Sequence, residues 1–163
     1  MRFEEGSFTS VLEKAKQEKR MVFVDCYTSW CGPCKLMLQD VFSREDVGQF
    51  MNARFVNLKL DMEKGEGPEL ARKYQVKVYP TFLILNENGE VIHRMVGGMK
   101  VEDFLQNVQD GTGEYSLYSY EKRYAGGERD SRFVYKYIET LSKAFMKERM
   151  EQVLHEYWAT LAN

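Results

Sequence analysis

The stretch VFVDCYTSWCGPCK, residues 22–35, carries two cysteines, Cys31 and Cys34, between two different structural patterns. The segment before them, 21–27, is short, β-rich and apolar except for Asp25, which is typical of a strand buried on both faces. The segment that starts at the second cysteine, CKLMLQDVF, has the spacing of a helix. A C-x-x-C pair at a strand-to-helix junction is a stronger indication of a redox-active dithiol than C-x-x-C alone.

Two other uses of the cysteine pair are less well supported. Zinc requires four ligands in a tetrahedral array, and besides the pair the chain offers only Cys26, His93 and His155 as soft ligands. We therefore predict no metal site, and we interpret Cys26 as a buried, inert thiol. A purely structural disulfide would close a loop of two intervening residues and would hardly constrain the unfolded chain.

A working dithiol divides the chemistry between its two cysteines. A thiolate at a helix N-terminus is stabilised by the helix dipole and by free backbone N–H groups, which lower its pKa. Cys31, at the start of the helix, is predicted to be the exposed nucleophile. Cys34, one turn further on, is predicted to be the resolving thiol that attacks the mixed disulfide.

Helical and strand patterns alternate through the first 111 residues. The patterns predict helices at 7–20, 43–53, 67–76 and 100–111, and strands at 54–62 and in a hairpin over 80–96. Ser43 with Asp46 forms a loose capping box, and Gly89 in NENG can supply the positive φ of a tight turn. The order α-β-α-α-β-α-β-β-α predicts an α/β layered domain over residues 1–111.

Residues 112–163 have a different character and are predicted to form an α-helical extension, a hairpin of two helices. Such helices cannot bury their apolar faces alone, so they must pack on the first domain, on a partner or on further helices. The tyrosines of 115–137 are predicted to pack the helices, with a partner groove as the alternative. The two apolar stripes consist of Phe133, Tyr137, Ile138, Leu141 and Phe145, and of Met150, Leu154, Tyr157, Trp158 and Leu161.

Composition bounds the classes of function that the chain can have. The chain has 163 residues, a formal net charge of −2 and a pI of about 5.8, which gives no electrostatic reason to expect nucleic-acid or membrane binding. No apolar run reaches membrane-spanning length, and no basic-then-apolar leader pattern stands at the start. Three cysteines are too few for a disulfide-stapled secreted mini-domain.

The chain resembles the thioredoxin family in three places. Trp30 to Lys35 match the W-C-G-P-C-K of the active site in full, VYPTFLIL resembles the family's cis-proline segment at Pro80, and NGEVIHRMVGG resembles its last hairpin, with Gly97 at a glycine near the site. The resemblance covers residues from about 5 to 111 and leaves the extension outside. It implies a thioredoxin fold, in which a central mixed β-sheet is flanked by helices.

The resemblance also implies roles for residues around the dithiol. Asp25 corresponds to a buried carboxylate that exchanges a proton with Cys34, and Pro80 aligns an extended substrate beside Cys31. Asn57 falls where the family usually has a buried lysine near that carboxylate, and Lys59 lies two residues further on. The residues expected to contact substrate are Trp30, Gly32, Pro33, Tyr79, Thr81 and Gly97.

These observations favour a thiol-disulfide oxidoreductase that reduces or isomerises disulfides in protein substrates. The chemistry requires no bound cofactor, since a partner reductant supplies the electrons. Gly32 and Pro33 between the cysteines match the reducing end of the family, so a reductase is expected. A different class of function stays open, namely a binding module whose helical tail recruits a partner under redox control.

The segment over 41–67 is longer than in the small cytosolic thioredoxins. It looks more like the thiol:disulfide interchange branch of the family, whose members are often exported in bacteria. A periplasmic or otherwise exported location is therefore expected, with a cytoplasmic location as the alternative.

Overall fold

The computed structural model describes all residues from 1 to 163 and has a four-stranded mixed sheet at its centre. The strands are β1 (Met21–Tyr27), β2 (Phe55–Asp61), β3 (Thr81–Leu85) and β4 (Val91–Val96), in the spatial order β2-β1-β3-β4. β2 runs parallel to β1, whereas β3 is antiparallel to both β1 and β4. This arrangement, with helices packed on both faces of the sheet, confirms the predicted mixed sheet flanked by helices.

Eight α-helices surround the sheet and follow it. Those of the first part are α1 (Phe8–Glu18), α2 (Gly32–Met37), α3 (Glu45–Arg54), α4 (Gly67–Lys73) and α5 (Val101–Gly111). α2 continues into a π-helical turn, Leu38–Phe42. None of the helices combines the length and the apolar content that a membrane crossing requires.

The two faces of the sheet have separate apolar cores because strand side chains alternate between faces. Val22, Val24 and Cys26 of β1 pack with α1 and α4 on one face. Phe23 of β1 points to the other face and packs there with α2, α3 and α5. A cluster of aromatic rings fills that second core, formed by Phe23, Phe42, Phe55, Phe82 and Phe104. The site's strands are thus buried on both sides.

The predicted capping box at Ser43 is wrong. Ser43 Oγ donates to Gln39 O at 2.5 Å, and the N-cap of α3 is Arg44. The Asp46 carboxylate accepts from Val47 N and pairs with the Arg44 guanidinium. The π-helical turn Leu38–Phe42 extends α2 up to Ser43. The Ser43 hydroxyl therefore donates to a carbonyl of that turn and does not cap the N-terminus of α3.

The hairpin turn follows the prediction. The β3 and β4 strands are joined over 86–90, where Gly89 has φ of +80°. The Asn86 side-chain oxygen accepts from both Asn88 N and Glu90 N, which closes the turn. This local chemistry explains why the hairpin could be recognised from NENG.

The segment 112–163 contains three helices instead of two. These are α6 (Leu117–Ala125), α7 (Ser131–Lys143) and α8 (Lys147–Leu161). α7 and α8 correspond to the two helices expected, and Asp130 caps α7 by accepting from Arg132 N and Phe133 N. The additional helix, α6, packs between β4 and α7. The division of the chain at residue 111 remains a prediction.

The tail helices share a third apolar core. Its buried members are Leu117, Tyr120, Tyr124, Phe133, Val134, Tyr137, Leu141, Ala144 and Val153. The Tyr137 ring stacks on that of Tyr120 at 5.6 Å and meets that of Tyr124 at a tilt, at 5.5 Å. Tyr115, Tyr118 and Tyr135 are exposed. The predicted packing role therefore holds for only half of these tyrosines.

The apolar stripe predicted for the last helix is partly wrong. Met150 and Tyr157 pack on the tail core, but Leu154, Trp158 and Leu161 are exposed, and Val153 is the buried residue of α8. Phe145, expected inside, is also exposed and has φ of +56° in the turn between α7 and α8. That turn sets the rotation of α8 about its axis, which periodicity alone did not reveal.

Candidate active site

The two cysteines of the pair form a disulfide at the start of α2. Cys31 is the N-cap residue of that helix, and its Cα lies 5.3 Å from that of Cys34. Cys34 N donates to Cys31 Sγ at 3.2 Å, while Pro33 occupies the first turn, where its missing N–H costs nothing. In the reduced form this N–H and the helix N-terminus would stabilise a thiolate on Cys31.

Cys31 is not exposed in this disulfide form, contrary to the prediction. Its exposed fraction is 3%, and that of Cys34 is 2%. The exposed surface of the site comes from its neighbours Trp30, Gly32 and Pro33. The bond to Cys34 turns the Cys31 sulfur inward. Access of a substrate to this sulfur therefore depends on Trp30, Gly32 and Pro33.

Asp25 lies in β1 on the sheet face that α2 covers, since it shares the alternation of Phe23. The residue is 1% exposed, and neither carboxylate oxygen has a hydrogen-bond partner. Burial raises the pKa of this carboxyl to about 7, although the charge of Lys59 opposes the shift. The site therefore contains a buried acid that titrates near neutral pH.

Lys59 is the lysine beside the carboxylate, and the expectation about Asn57 is wrong. The parallel register of β1 and β2 sets Lys59 opposite Asp25 and Asn57 opposite Phe23. Asn57 is instead buried near the N-terminal segment, where its Nδ2 donates to Arg2 O and Asn52 Oδ1. The register of two strands far apart in the chain is not determined by local residue patterns, so the sequence did not predict which side chain lies opposite Asp25.

The segment before β3 forms the opposite side of the site. The Tyr79–Pro80 peptide bond is cis, as the resemblance implied. Pro80 O accepts from Gly97 N at 2.9 Å, and Gly97 has φ of +93°, a conformation suited to glycine. Thr81 is buried, and its Oγ1 donates to Val78 O at 2.7 Å. The bond from Gly97 ties the end of β4 to the start of β3, and the bond from Thr81 fixes the turn before β3.

Trp30 contacts two residues from distant parts of the chain. Its ring stands perpendicular to that of Tyr79 at 5.9 Å, and its indole N–H donates to the Glu63 carboxylate. Trp30 remains 66% exposed, so it is a surface aromatic at the rim of the site. Sequence analysis missed Glu63, since nothing in its neighbourhood distinguishes it from other exposed acids of the loop after β2.

The third cysteine takes no part in the disulfide. Cys26 is buried, and burial, reinforced by the neighbouring Asp25 carboxylate, raises the pKa of its thiol. A thiol that stays protonated is a poor nucleophile. The structure thus supports the interpretation of Cys26 as an inert core residue.

Comparison with known proteins places these features in a family. Residues 8–112 match the family model described as a thioredoxin-like domain. Thioredoxin Y of the rice chloroplast (Oryza sativa subsp. japonica) is 32% identical over 104 residues, which cover 64% of this chain and 56% of the rice protein. A thioredoxin-like protein of Synechocystis is 32% identical over 102 residues, 63% of this chain and 91% of that protein.

Two solved structures are similar over most of their length. A candidate disulphide-isomerase from Bacteroides thetaiotaomicron is 47% identical with a TM-score of 0.64, covering 69% of this chain and 93% of that one. A thioredoxin from Thermus thermophilus is 28% identical with a TM-score of 0.62, covering 72% and 92%. The match spans the sheet, the dithiol and the cis-proline segment, and the chain therefore belongs to the thioredoxin-like family.

Proposed function

We propose that this protein is a thiol-disulfide oxidoreductase that reduces disulfides in protein substrates through Cys31 and Cys34. One observation carries the proposal: the dithiol lies at the start of α2, over the sheet face that holds the unpartnered Asp25. A buried carboxyl without a hydrogen bond is costly to stability, and such groups with raised pKa values are concentrated at functional sites.

The reaction begins with the reduced pair. The Cys31 thiolate attacks one sulfur of the substrate disulfide, a mixed disulfide forms, and the other substrate sulfur leaves as a thiolate. Cys34 then loses its proton to the Asp25 carboxylate and attacks Cys31 Sγ, which releases the second substrate thiolate. The product is the Cys31–Cys34 disulfide seen in the structure. A partner reductant then returns two electrons to the pair, and the proton held by Asp25 goes back to the Cys34 sulfur, which restores the Cys31 thiolate and the Cys34 thiol.

Asp25 suits this proton transfer because its pKa of about 7 lies near the pH at which proteins work. At that value the carboxyl group is partly ionised, so it can accept a proton in one step and return it in another. Lys59 keeps the pKa from rising further, since its charge favours the carboxylate. An Asp at its ordinary pKa would be a much weaker base.

The substrate is proposed to lie across the rim formed by Trp30, Gly32 and Pro33 on one side and Tyr79 and Gly97 on the other. Pro80 and Thr81 are buried and hold this second side in place through bonds to Gly97 N and Val78 O. The backbone N–H and C=O of Tyr79 have no hydrogen-bond partner within the chain. An extended substrate can pair with them beside the cysteines, as strands do at an open edge. The exposed Trp30 ring supplies apolar contact area next to that pairing.

The reduction potential decides between reductase and isomerase. Equilibration with glutathione or dithiothreitol buffers, followed by Trp30 fluorescence in a Trp158→Phe background, gives the potential directly. We expect a value near that known for thioredoxin, about −270 mV. A value above about −180 mV would contradict the reductase and favour an isomerase, the role suggested for the 47% identical Bacteroides protein.

The second candidate function is a binding module whose tail recruits a partner under redox control. The observation that favours it is the separate core of α6, α7 and α8, with Phe145 and Trp158 exposed on its surface. Cys31→Ser distinguishes the two. We expect insulin disulfide reduction to fall by at least about a hundredfold, since the nucleophile is lost. If this variant reduced insulin at the wild-type rate, the dithiol would not be the reactive group.

We propose an exported, periplasmic location, supported by the resemblance of the 41–67 segment to the interchange branch. Cell fractionation of the full gene product with an antibody to this chain tests the location. Recovery in the cytoplasmic fraction would contradict it, without any bearing on the dithiol chemistry.

A further inference from the structure

A groove of about 940 Å³ lies between the sheet and the helical tail, and the dithiol chemistry above does not use it. Its floor is the run from His93 to Val96 of β4, followed by Gly98 and Met99. One wall is α5, with Asp103 and Gln106, and the other is α7, with Lys136 and Thr140. Tyr120 of α6, the helix that packs against both β4 and α7, also lines the groove. The tail helices therefore create this feature, which the sheet alone would lack.

The floor of the groove belongs to an edge strand. β4 pairs only with β3, and no loop or helix forms a backbone hydrogen bond with residues 91–96. In an antiparallel strand about half of the backbone groups point away from the partner strand. α6 packs on β4 without pairing with its backbone, so these donors and acceptors on the outer edge of β4 have no partner within the chain. Such an edge can bind an extended peptide by adding one strand to the sheet.

The groove leads to the active site. Gly98, which lines the groove, lies against Pro33: a Cβ placed on Gly98 would be 3.5 Å from Pro33 Cβ. Pro33 lies between the two cysteines in the sequence. Gly97, which precedes Gly98, donates its backbone N–H to Pro80 O. A chain whose sulfur is at Cys31 can therefore continue along the groove without leaving the protein surface.

The shape and the charges of the groove suit a polypeptide. The floor begins with the strand residues His93 to Val96, three residue steps or roughly 10 Å at about 3.3 Å per residue, and continues past the bend at Gly97 to Met99. The α5 wall carries Asp103 and Asp110, whereas the α7 wall carries three cations and one anion, so the two walls have opposite net charge. The charged residues of α7 are Arg132, Lys136 and Lys143, with Glu139 paired to both lysines. This combination favours an elongated, polar segment of mixed charge over a compact or purely apolar ligand.

We propose that the groove binds the extended polypeptide segment that flanks the reactive cysteine of a protein substrate, with that segment added as a strand to the outer edge of β4. The inference rests on the proposed oxidoreductase function and assigns the tail a part in it. α7 forms the far wall, so the tail helps to select polypeptide substrates over small disulfides.

The test uses the full chain with Cys34→Ser, pre-reduced with dithiothreitol that is then removed. The probes are cysteine peptides whose sulfur is joined to nitrothiobenzoate, with eight residues of mixed charge on the N-terminal or on the C-terminal side. Cys31 attacks the peptide sulfur, a Cys31–peptide disulfide forms, and nitrothiobenzoate leaves as a coloured thiolate. The corresponding glutathione disulfide serves as the short probe.

We expect one of the two long probes to react at least about tenfold faster than the short probe, because several backbone hydrogen bonds add to its binding. N-methylation of alternate residues in the flank should remove this gain, since it deletes the donors that pair with β4. Equal rate constants for both long probes and the short one would overturn the groove proposal. If neither kind of probe reacts faster with Cys31 than with free glutathione, the proposed function itself fails.

A pair of glutamines on α5 provides matched variants. Gln106 lines the groove, whereas Gln109, three residues later on the same helix, is exposed outside it. Gln106→Trp should bring the ratio of long-probe to short-probe rate constants close to one, and Gln109→Trp should leave the ratio high. An equal ratio in the two variants would show that the flank does not lie in the groove.

Discussion

The dithiol end of the sheet and the junction of β4 with the tail each bury one ionisable side chain. The two side chains differ in their hydrogen bonding and in the direction of their pKa shifts. Asp25 has no hydrogen-bond partner, and burial raises its pKa to about 7. His93 accepts from Leu117 N at 3.2 Å, and burial lowers the pKa of its imidazole to about 4. The comparison shows that a buried ionisable group with a hydrogen-bond partner can be structural. Burying one without a partner lowers stability, which indicates a functional role.

The two regions should also respond to pH in opposite directions. Asp25 has a higher pKa folded than unfolded, so the stability it contributes is present in acid and is lost as pH rises through about 7. His93 has a lower pKa folded than unfolded, so its contribution is present above pH 6.5 and is lost as pH falls through about 4. Variants at each position can separate these contributions.

The largest expected effect comes from Asp25→Asn. The variant removes a carboxylate whose ionisation opposes folding, so the free energy of unfolding at pH 8 should rise by about 4 kcal/mol in urea titrations. Insulin reduction should fall at the same time, and its rise with pH near 7 should disappear because the proton acceptor is lost. A variant that is more stable yet retains the wild-type pH profile would contradict the role of Asp25.

Acid titration of the junction is expected to have the next largest effect. In an Asp25→Asn background, the free energy of unfolding should fall by about 3 kcal/mol between pH 6.5 and 4, because burial disfavours the charged imidazole in the folded state. The same titration with His93→Gln in addition serves as the control and should show a smaller fall. Parallel curves for the two proteins would mean that another group causes the acid sensitivity.

Gly111→Ala should lower the free energy of unfolding by an intermediate amount, because it disturbs the junction of β4 with the tail. A Cβ on Gly111 would lie 2.7 Å from His93 Cγ and closer still to Cδ2, so the ring would have to move. We expect a loss of about 1–3 kcal/mol in thermal or urea unfolding, as for overpacked cores. Gly113→Ala is the matched control, since its Cβ would meet only Gln109 O at 3.8 Å. Equal stabilities of the two variants would contradict the close fit.

The smallest effect is expected at the rim of the dithiol. Glu63→Gln keeps the shape of the side chain but removes the charge that accepts the Trp30 indole N–H. Because both groups are exposed, the change in unfolding free energy should stay below about 1 kcal/mol. Fluorescence quenching of Trp30 by iodide should increase, since a negative charge beside the ring is removed. Unaltered quenching would mean that the bond is not maintained in solution.

The residues of the first 111 positions allowed most of the fold to be predicted because their signals are local. The strand before Cys31, the helix after it and the NENG hairpin each depend on residues that are neighbours in the chain. The pairing of Lys59 with Asp25 could not be predicted in this way, since it depends on the register of two strands separated by a long segment. Glu63 was missed because no local pattern distinguishes it from other exposed acids, and the burial of Cys31 was missed because it follows from the bond to Cys34.

The tail was harder to predict because its helices are positioned by contacts with other elements. Helix α6 has an apolar stripe of Leu117, Tyr120 and Tyr124, but the helix is only nine residues long, and the Leu117 N–H finds its partner in His93 of β4. The rotation of α8 follows from the turn at Phe145, so Val153 is buried and Leu154 is exposed. Periodicity identifies a helix, but it does not select between adjacent candidate faces.

By itself the sequence determined the family, the cysteine pair and the order of strands and helices, since these depend on residue types at short spacings. The tertiary structure alone decided which lysine stands beside Asp25, how His93 joins the sheet to the tail, and that a groove leads from β4 to the dithiol. These features arise between segments far apart in the chain, where strand register and helix packing determine the contacts.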